Sequence, residues 1–226
     1  MEAPLVGSML LAGVILKLGR YGLLLLAPSL GNRSSVFVYL TLVGGVICSL
    51  LCCRHWDSKS LVAYSSVVHI GAVTLGSLSG LELGFFVGCG MLVGHSLVSP
   101  LLFVLSAALY SSSGSRNFIY GHKWPLSTSL LLAFGLCSGL NFGLPPFLNF
   151  WVEVRLFRLL GFTWSLSLIP LGLVALFSYL YSILLYVLTC GGSSRSTFPV
   201  LHLLYVFLAP ISLSFLLARC CSAFII

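Results

Sequence analysis

Apolar runs of about 20 residues follow one another along almost the whole chain, separated by short polar or Gly/Pro-containing breaks. A run of that length, wound as a helix, matches the hydrocarbon thickness of a bilayer, roughly 30 Å. In lipid the backbone must satisfy its own hydrogen bonds, so only helices and closed barrels can cross. Barrel strands would be shorter and would alternate polar with apolar, whereas these runs are continuous. Only 7% of the 226 residues are charged and 59% are hydrophobic, with a mean hydropathy of +1.13, against about a quarter charged in a soluble domain. The expected fold is therefore all-α: a polytopic membrane protein forming a single transmembrane domain over residues 1–226.

The runs place spans at 4–26, 35–53, 58–79, 83–110, 165–190 and 199–220. Asp57 stands where the N-cap of the third would be. The stretch 126–160 is too long for one straight span and too short for two with a turn. Its middle reads "SGLNFGLPPFLNF", where Pro145 and Pro146 remove backbone donors and Gly139 and Gly143 loosen the chain. This predicts one discontinuous helix and about seven spans in all. Interrupted helices at membrane depth mark transport sites, because freed backbone groups are tolerated only beside protein or a cavity.

The net charge is +7, but the cations are spread thinly at span ends. That argues for orientation in a lipid bilayer and against nucleic acid as a partner. One side carries Arg54, Lys59, Arg116, Lys123 and Arg195, and the other Arg33, Arg158 and Arg219. The excess favours the first side as matrix or cytoplasm. Glu2 and Pro4 stand where a signal peptide would have a basic region, and the first run is long enough to span. The eight cysteines form no CxxC pair and lie mostly within apolar runs, where Cys behaves as a small hydrophobe. No metal site is expected. No phosphate-binding loop, dinucleotide fingerprint or paired-His motif occurs.

Four ionisable residues fall near the middle of four different spans: Lys17, His69, His95 and Glu153, the last about two turns beyond the break. A charge at the bilayer centre costs roughly 2.5–3.5 kcal/mol on insertion scales. Four such residues at one depth are expected to face one another, or water, inside the bundle. Gly13 and Tyr21 share a face with Lys17, and hydroxyls and an amide accompany the others at helical spacing: Ser65 with His69, Ser99 and Ser106 with His95, and Asn149 with Glu153. Such a row is suited to passing protons. The plainer readings are a hydrogen-bonded packing role for each histidine, a snorkelling Lys17, and a structural pair between Glu153 and Arg155 or Arg158. The Gly-rich "GFFVGCGMLVG" reads as a close-packing surface.

At these residues the chain resembles a known family. "EAPLVGSMLLAGVILKLGRYG", "WDSKSLVAYSSVVHIG", "GHSLVSPLLF" and "GLPPFLNFWVEV" are similar, in order and spacing, to the antiporter-like membrane subunits of respiratory complex I, the proton-translocating NADH:ubiquinone oxidoreductase. The resemblance implies a catalytic proton relay: Lys17 as the central-axis lysine, His69 and His95 as relay histidines, and Glu153 as the terminal acid on the broken helix. It implies a multi-pass subunit of the mitochondrial inner membrane, partnered by other membrane-arm subunits. It also implies that no cofactor is bound here, with NADH, FMN, the iron–sulfur clusters and ubiquinone held by other subunits. Enzymatic status would then belong to the complex.

Family chains are about twice this length, so the resemblance covers the C-terminal half of an antiporter-like fold. Arg20 and Pro100 stand where the family usually has small residues, and Pro100 is expected to kink its helix. The rival readings are an independent cation/proton antiporter subunit of the same fold and a structural subunit that only packs the membrane arm. An intramembrane enzyme would need a nucleophile–base pair or a metal site, which the sequence does not present.

Overall fold

The computed structural model describes residues 4–27, 29, 34–115, 117–118, 128–145, 147–190, 211–214 and 216–218. Helices follow the apolar runs. They are α1 (Leu5–Leu26), α2 (Ser34–Arg54), α3 (Ser58–Leu78), α4 (Glu82–Ser113), α5 (Thr128–Phe142), α6 (Leu148–Thr163) and α7 (Leu168–Cys190). Five stretches are long and apolar enough to cross a membrane: Leu5–Leu26, Ser35–Arg54, Ser58–Leu78, Glu82–Ser111 and Ser165–Thr189. The expected span at 199–220 lies outside the described residues except for 211–214 and 216–218, as do Arg33, Arg116, Lys123, Arg195 and Arg219.

Short-range chemistry sets the helix ends. Asp57 caps α3 as its position suggested: its side chain accepts from the Lys59 backbone N–H at 3.1 Å, and its carbonyl takes the Leu61 N–H at 3.0 Å. At the other end of α4, Gly114 takes the left-handed conformation and its N–H closes on the Tyr110 carbonyl. Pro100 lies inside α4, and the helix continues through it. An isolated β-bridge pairs Asp57 with Asn117, and the Phe118 N–H donates to the Trp56 carbonyl at 2.9 Å. The α2–α3 connection and the segment after α4 therefore meet at one end of the bundle.

The 126–160 stretch breaks where the glycines and prolines predict. α5, with 15 residues, and α6, with 16, are each shorter than the hydrocarbon core, at about 1.5 Å per residue. α5 ends in a two-bond reverse closure: the Leu144 N–H returns to the Gly139 carbonyl and the Gly143 N–H to the Leu140 carbonyl. Gly143 has φ +73°, a conformation glycine adopts without side-chain penalty.

α3 and α4 are the most enclosed helices, and α1 is the least covered. α4 packs against α1, α3, α5 and α6, while α2 and α7 pair on the far side of α3. Two apolar clusters fill the interior. One includes Ala12, Leu61, Val98, Phe134 and Tyr181. The other includes Leu24, Val73, Met91, Val152 and Leu171. The layer between them is polar.

Candidate functional site

Three of the four sequence-predicted residues fall in that layer, and the fourth, Glu153, follows Val152 of the second cluster on α6. Lys17 lies between Ala12 and Leu24 on α1, and His69 between Val62 and Val73 on α3. His95 lies between Met91 and Val98 on α4. Each buried polar group is thus sandwiched along its own helix by residues of opposite clusters.

On α1 a π-helical turn, Leu11–Ile15, immediately precedes Lys17. Single π turns inside α-helices recur at functional sites. Here the Lys17 Nζ reaches back to donate to the Ala12 carbonyl and also donates to Ser99 Oγ on α4 at 3.2 Å. Ser99 Oγ in turn donates to the same Ala12 carbonyl at 3.3 Å. The ammonium head is therefore turned into the bundle, and the snorkelling reading does not describe it. The remainder of its face lines an open groove of about 400 Å³ with Gly13, Tyr21, Cys89 and Ser96. Tyr21 is exposed and takes no part in the Lys17 hydrogen bonds.

One helical turn separates Ser99 from His95 on α4. His95 is 2% exposed, and neither ring nitrogen has a hydrogen-bond partner among the described residues. Its ring lies 5.1 Å, centroid to centroid, from that of His69 on α3, tilted by 32°. Lys17 is near enough for its charge to act on both rings. An unpartnered buried imidazole costs about 1–3 kcal/mol. Such groups persist where catalysis or water uses them.

His69 and Glu153 line one cavity of about 40 Å³, together with Met91, Phe157 and Ser178. That volume is large enough to admit water. The carboxylate stands over the break in the helix, since a Cβ added at Gly143 would lie 3.2 Å from Glu153 Oε2. Lys17, Ser99, His95, His69 and Glu153 thus lie in order across α1, α4, α3 and α6, with Ser99 and the two histidines buried and the lysine and acid half-buried at either end.

The flanking residues divide. Ser99 accepts from Lys17 across the α1–α4 contact. Ser65 and Ser106 bond to carbonyls of their own helices, Val62 and Phe103. Asn149, one turn before the acid on α6, directs its amide to another group. Its amide donates to the Leu140 carbonyl at 2.9 Å across the break, so it ties α6 to the end of α5. It can do so because Gly94 on α4 leaves room for it: a Cβ there would overlap Asn149 Oδ1. Two residues went unnoticed in the sequence. The Tyr181 hydroxyl of α7 lies 3.4 Å from His69 Nε2, and Asn141 of α5 sits beside both. Ser178, Tyr181 and Ser182 at i, i+3, i+4 spacing form a polar face on an otherwise apolar helix, and that was the available signal.

Comparison with known proteins agrees with this architecture. Residues 1–190 match the family model described as NADH:quinone oxidoreductase/Mrp antiporter, TM. The chain is 42% identical over 191 residues to the NADH-ubiquinone oxidoreductase chain 4 of Mytilus edulis, covering 82% of this chain and 44% of that one. It is 36% identical over 208 residues to the protein of that name from Branchiostoma lanceolatum, covering 89% and 46%. The chain thus spans about half the length of the curated relatives it matches. Among solved structures, it is similar to a chain of the membrane-bound sulfane sulfur reductase, an archaeal respiratory membrane complex (TM-score 0.88, 17% identity, 98% of this chain and 47% of that one). It is also similar to one from the Mrp complex of Dietzia sp. DQ12-45-1b (0.78, 20%, 95% and 25%), and to one from respiratory complex I of Thermus thermophilus (0.74, 19%, 82% and 40%). A helical membrane chain with a broken helix and a buried polar layer, matched over most of its length by the family model, belongs to the NADH:quinone oxidoreductase/Mrp antiporter transmembrane family.

Proposed function

We propose that this chain is part of the membrane arm of an NADH:ubiquinone oxidoreductase and carries a segment of its proton path. In this reading Lys17, His95, His69 and Glu153 exchange protons in sequence, with Ser99 bridging the first gap. The observation that carries it is the placing of Lys17, His69 and His95, from three helices, between two apolar clusters, with Glu153 of a fourth helix sharing a cavity with His69. A charge that enters this layer is felt by its neighbours through a medium of low dielectric, so occupancy of one group biases the next. Electron transfer from NADH to ubiquinone, with its flavin and iron–sulfur groups, is assigned to other subunits. The names of the relatives support a place in the mitochondrial inner membrane among other membrane-arm subunits.

The decisive experiment uses the assembled complex in sealed vesicles. Lys17→Ala and Glu153→Gln are expected to lower NADH-driven proton uptake by an order of magnitude or more while the complex still assembles, as loss of a direct proton-transfer group does elsewhere. Wild-type pumping by both assembled variants would leave only a packing role.

A second reading, a subunit of an independent cation/proton antiporter, is supported by the family model, whose description names the Mrp antiporter beside the oxidoreductase. Identities of 36–42% to proteins named for the oxidoreductase favour the first. Co-purification with the NADH-oxidising arm supports the oxidoreductase, and sodium-driven proton exchange without that arm supports the antiporter.

A further inference from the structure

His69 has a neighbour that the relay does not use. The Tyr181 side chain is 1% exposed, and its hydroxyl lies 3.4 Å from His69 Nε2. Asn141, at the end of α5, is also buried. Its Nδ2 donates to Ser182 Oγ at 3.4 Å, while its Oδ1 has no hydrogen-bond partner among the described residues. A cavity of about 10 Å³ touches Ser65, Ser138, Asn141, Tyr181 and Ser182. α7 and the end of α5 thus bring a phenol and an unspent amide oxygen to one edge of the His69 ring.

The hydrogen-bond inventory fixes what such a group can do. A phenol carries one hydrogen that swings about the C–O bond, and its oxygen also accepts. An imidazole nitrogen accepts when bare and donates when protonated. With Nε2 bare, the Tyr181 hydroxyl donates to it. With Nε2 protonated, Nε2–H donates to the phenol oxygen, and the phenol hydrogen must point elsewhere. Asn141 Oδ1 is the buried acceptor left unpartnered on that side, beside the hydroxyl oxygens of Ser65, Ser138 and Ser182 that already bond within the chain and line the same cavity. With no free acceptor there, the second arrangement would strand a donor in the interior, which costs about as much as losing a hydrogen bond outright.

Building on the relay reading above, we propose that Tyr181 and Asn141 form a hydrogen-bond rotor that positions His69 and accommodates it with and without a proton on Nε2. The phenol keeps its own proton throughout, and only hydrogen bonds are exchanged. Tyr181 is a positioning residue, and the proton itself travels through the histidines. The rotor also holds one ring nitrogen of His69 on the α7 side, leaving the other for the His95 and Glu153 side.

The other groups facing His69 are His95 from α4, Lys17 from α1 and Glu153 from α6. Tyr181 additionally faces Cys52 and Cys53 from α2. All of these remain in Tyr181→Phe, so the change isolates the hydroxyl. The test measures NADH-driven proton pumping against pH in vesicles containing the whole complex, with His69→Leu run alongside. Tyr181→Phe is expected to assemble, to pump roughly tenfold more slowly, and to show a displaced pH profile. Asn141→Leu is expected to displace the profile in the same way, and the double variant to be no worse than either alone, as for residues acting as one unit. A wild-type rate and profile for Tyr181→Phe, with His69→Leu impaired, overturns the rotor and leaves the relay standing. Unimpaired pumping by His69→Leu overturns the relay itself. Should Tyr181→Phe fail to assemble, an unchanged profile in Asn141→Leu overturns the proposal by itself.

Discussion

The Ser99 hydroxyl is the side-chain partner that Lys17 finds on α4, one helical turn from His95, and in the proposed path it bridges the two. Ser99→Ala would leave the ammonium with one side-chain partner fewer. Loss of a hydrogen bond to a charged group, worth about 1.5–3 kcal/mol, corresponds to pumping roughly 10- to 100-fold slower. Ser99→Thr retains the hydroxyl and is expected to pump near the wild-type rate, and equal rates for the two variants would remove Ser99 from the path. At this scale the sequence is informative where a residue violates its surroundings. Lys17, His69, His95 and Glu153 stand out because ionisable groups amid apolar runs carry an insertion cost that only function or pairing offsets. Tyr181 does not stand out, since tyrosine is at home in a membrane helix. For Asn149, helical spacing places it one turn from Glu153 but cannot reveal that its amide donates to the freed carbonyl of Leu140.

Among the elements, the break between α5 and α6 carries the most consequence. Gly143→Ala would force a Cβ into a left-handed turn, at about 1–2 kcal/mol, and push it against the Glu153 carboxylate. Lower thermal stability of the assembled complex and slower pumping should therefore appear together in that one variant. Thermal unfolding followed beside proton uptake checks this, and loss of stability with full pumping would separate the turn from the acid. Gly94→Val tests the neighbouring contact. Its side chain would displace Asn149 from the Leu140 carbonyl, an overpacking cost of typically 1–3 kcal/mol, read as a lower midpoint in the same unfolding assay. The break was legible because proline and glycine remove donors and constraint in a way no apolar run conceals. The π turn in α1 was not, because Leu11–Ile15 is composed like any other stretch of a membrane helix.

For the molecule as a whole, the bridge between Asp57 and Asn117 fixes which connections share a membrane face. Trp56 and Asn117 are both exposed there, beside Arg54 and Lys59. Cysteines introduced as Trp56→Cys and Asn117→Cys should react with a membrane-impermeant maleimide from the same side, and the excess of Lys and Arg predicts the matrix side. Labelling from opposite sides would contradict the packing of these segments. The fold class was legible at this scale because lipid thickness imposes a length on every crossing, and the five long helices described fall on five of the expected spans. The central position of α3 and α4 was not, because a helix apolar on all sides does not reveal which neighbours it meets.

The doubled contact on the Ala12 carbonyl has a consequence for how this region tolerates change. A main-chain oxygen survives every amino-acid replacement, so scanning mutagenesis would pass over it without a signal. Its orientation depends on winding. Removing a single residue from 11–15 would close the wide turn to ordinary α winding and re-aim that oxygen relative to the ammonium, with Lys17 and Ser99 both still encoded. Shortening the chain by one position here should therefore be more damaging than most replacements within the same five residues.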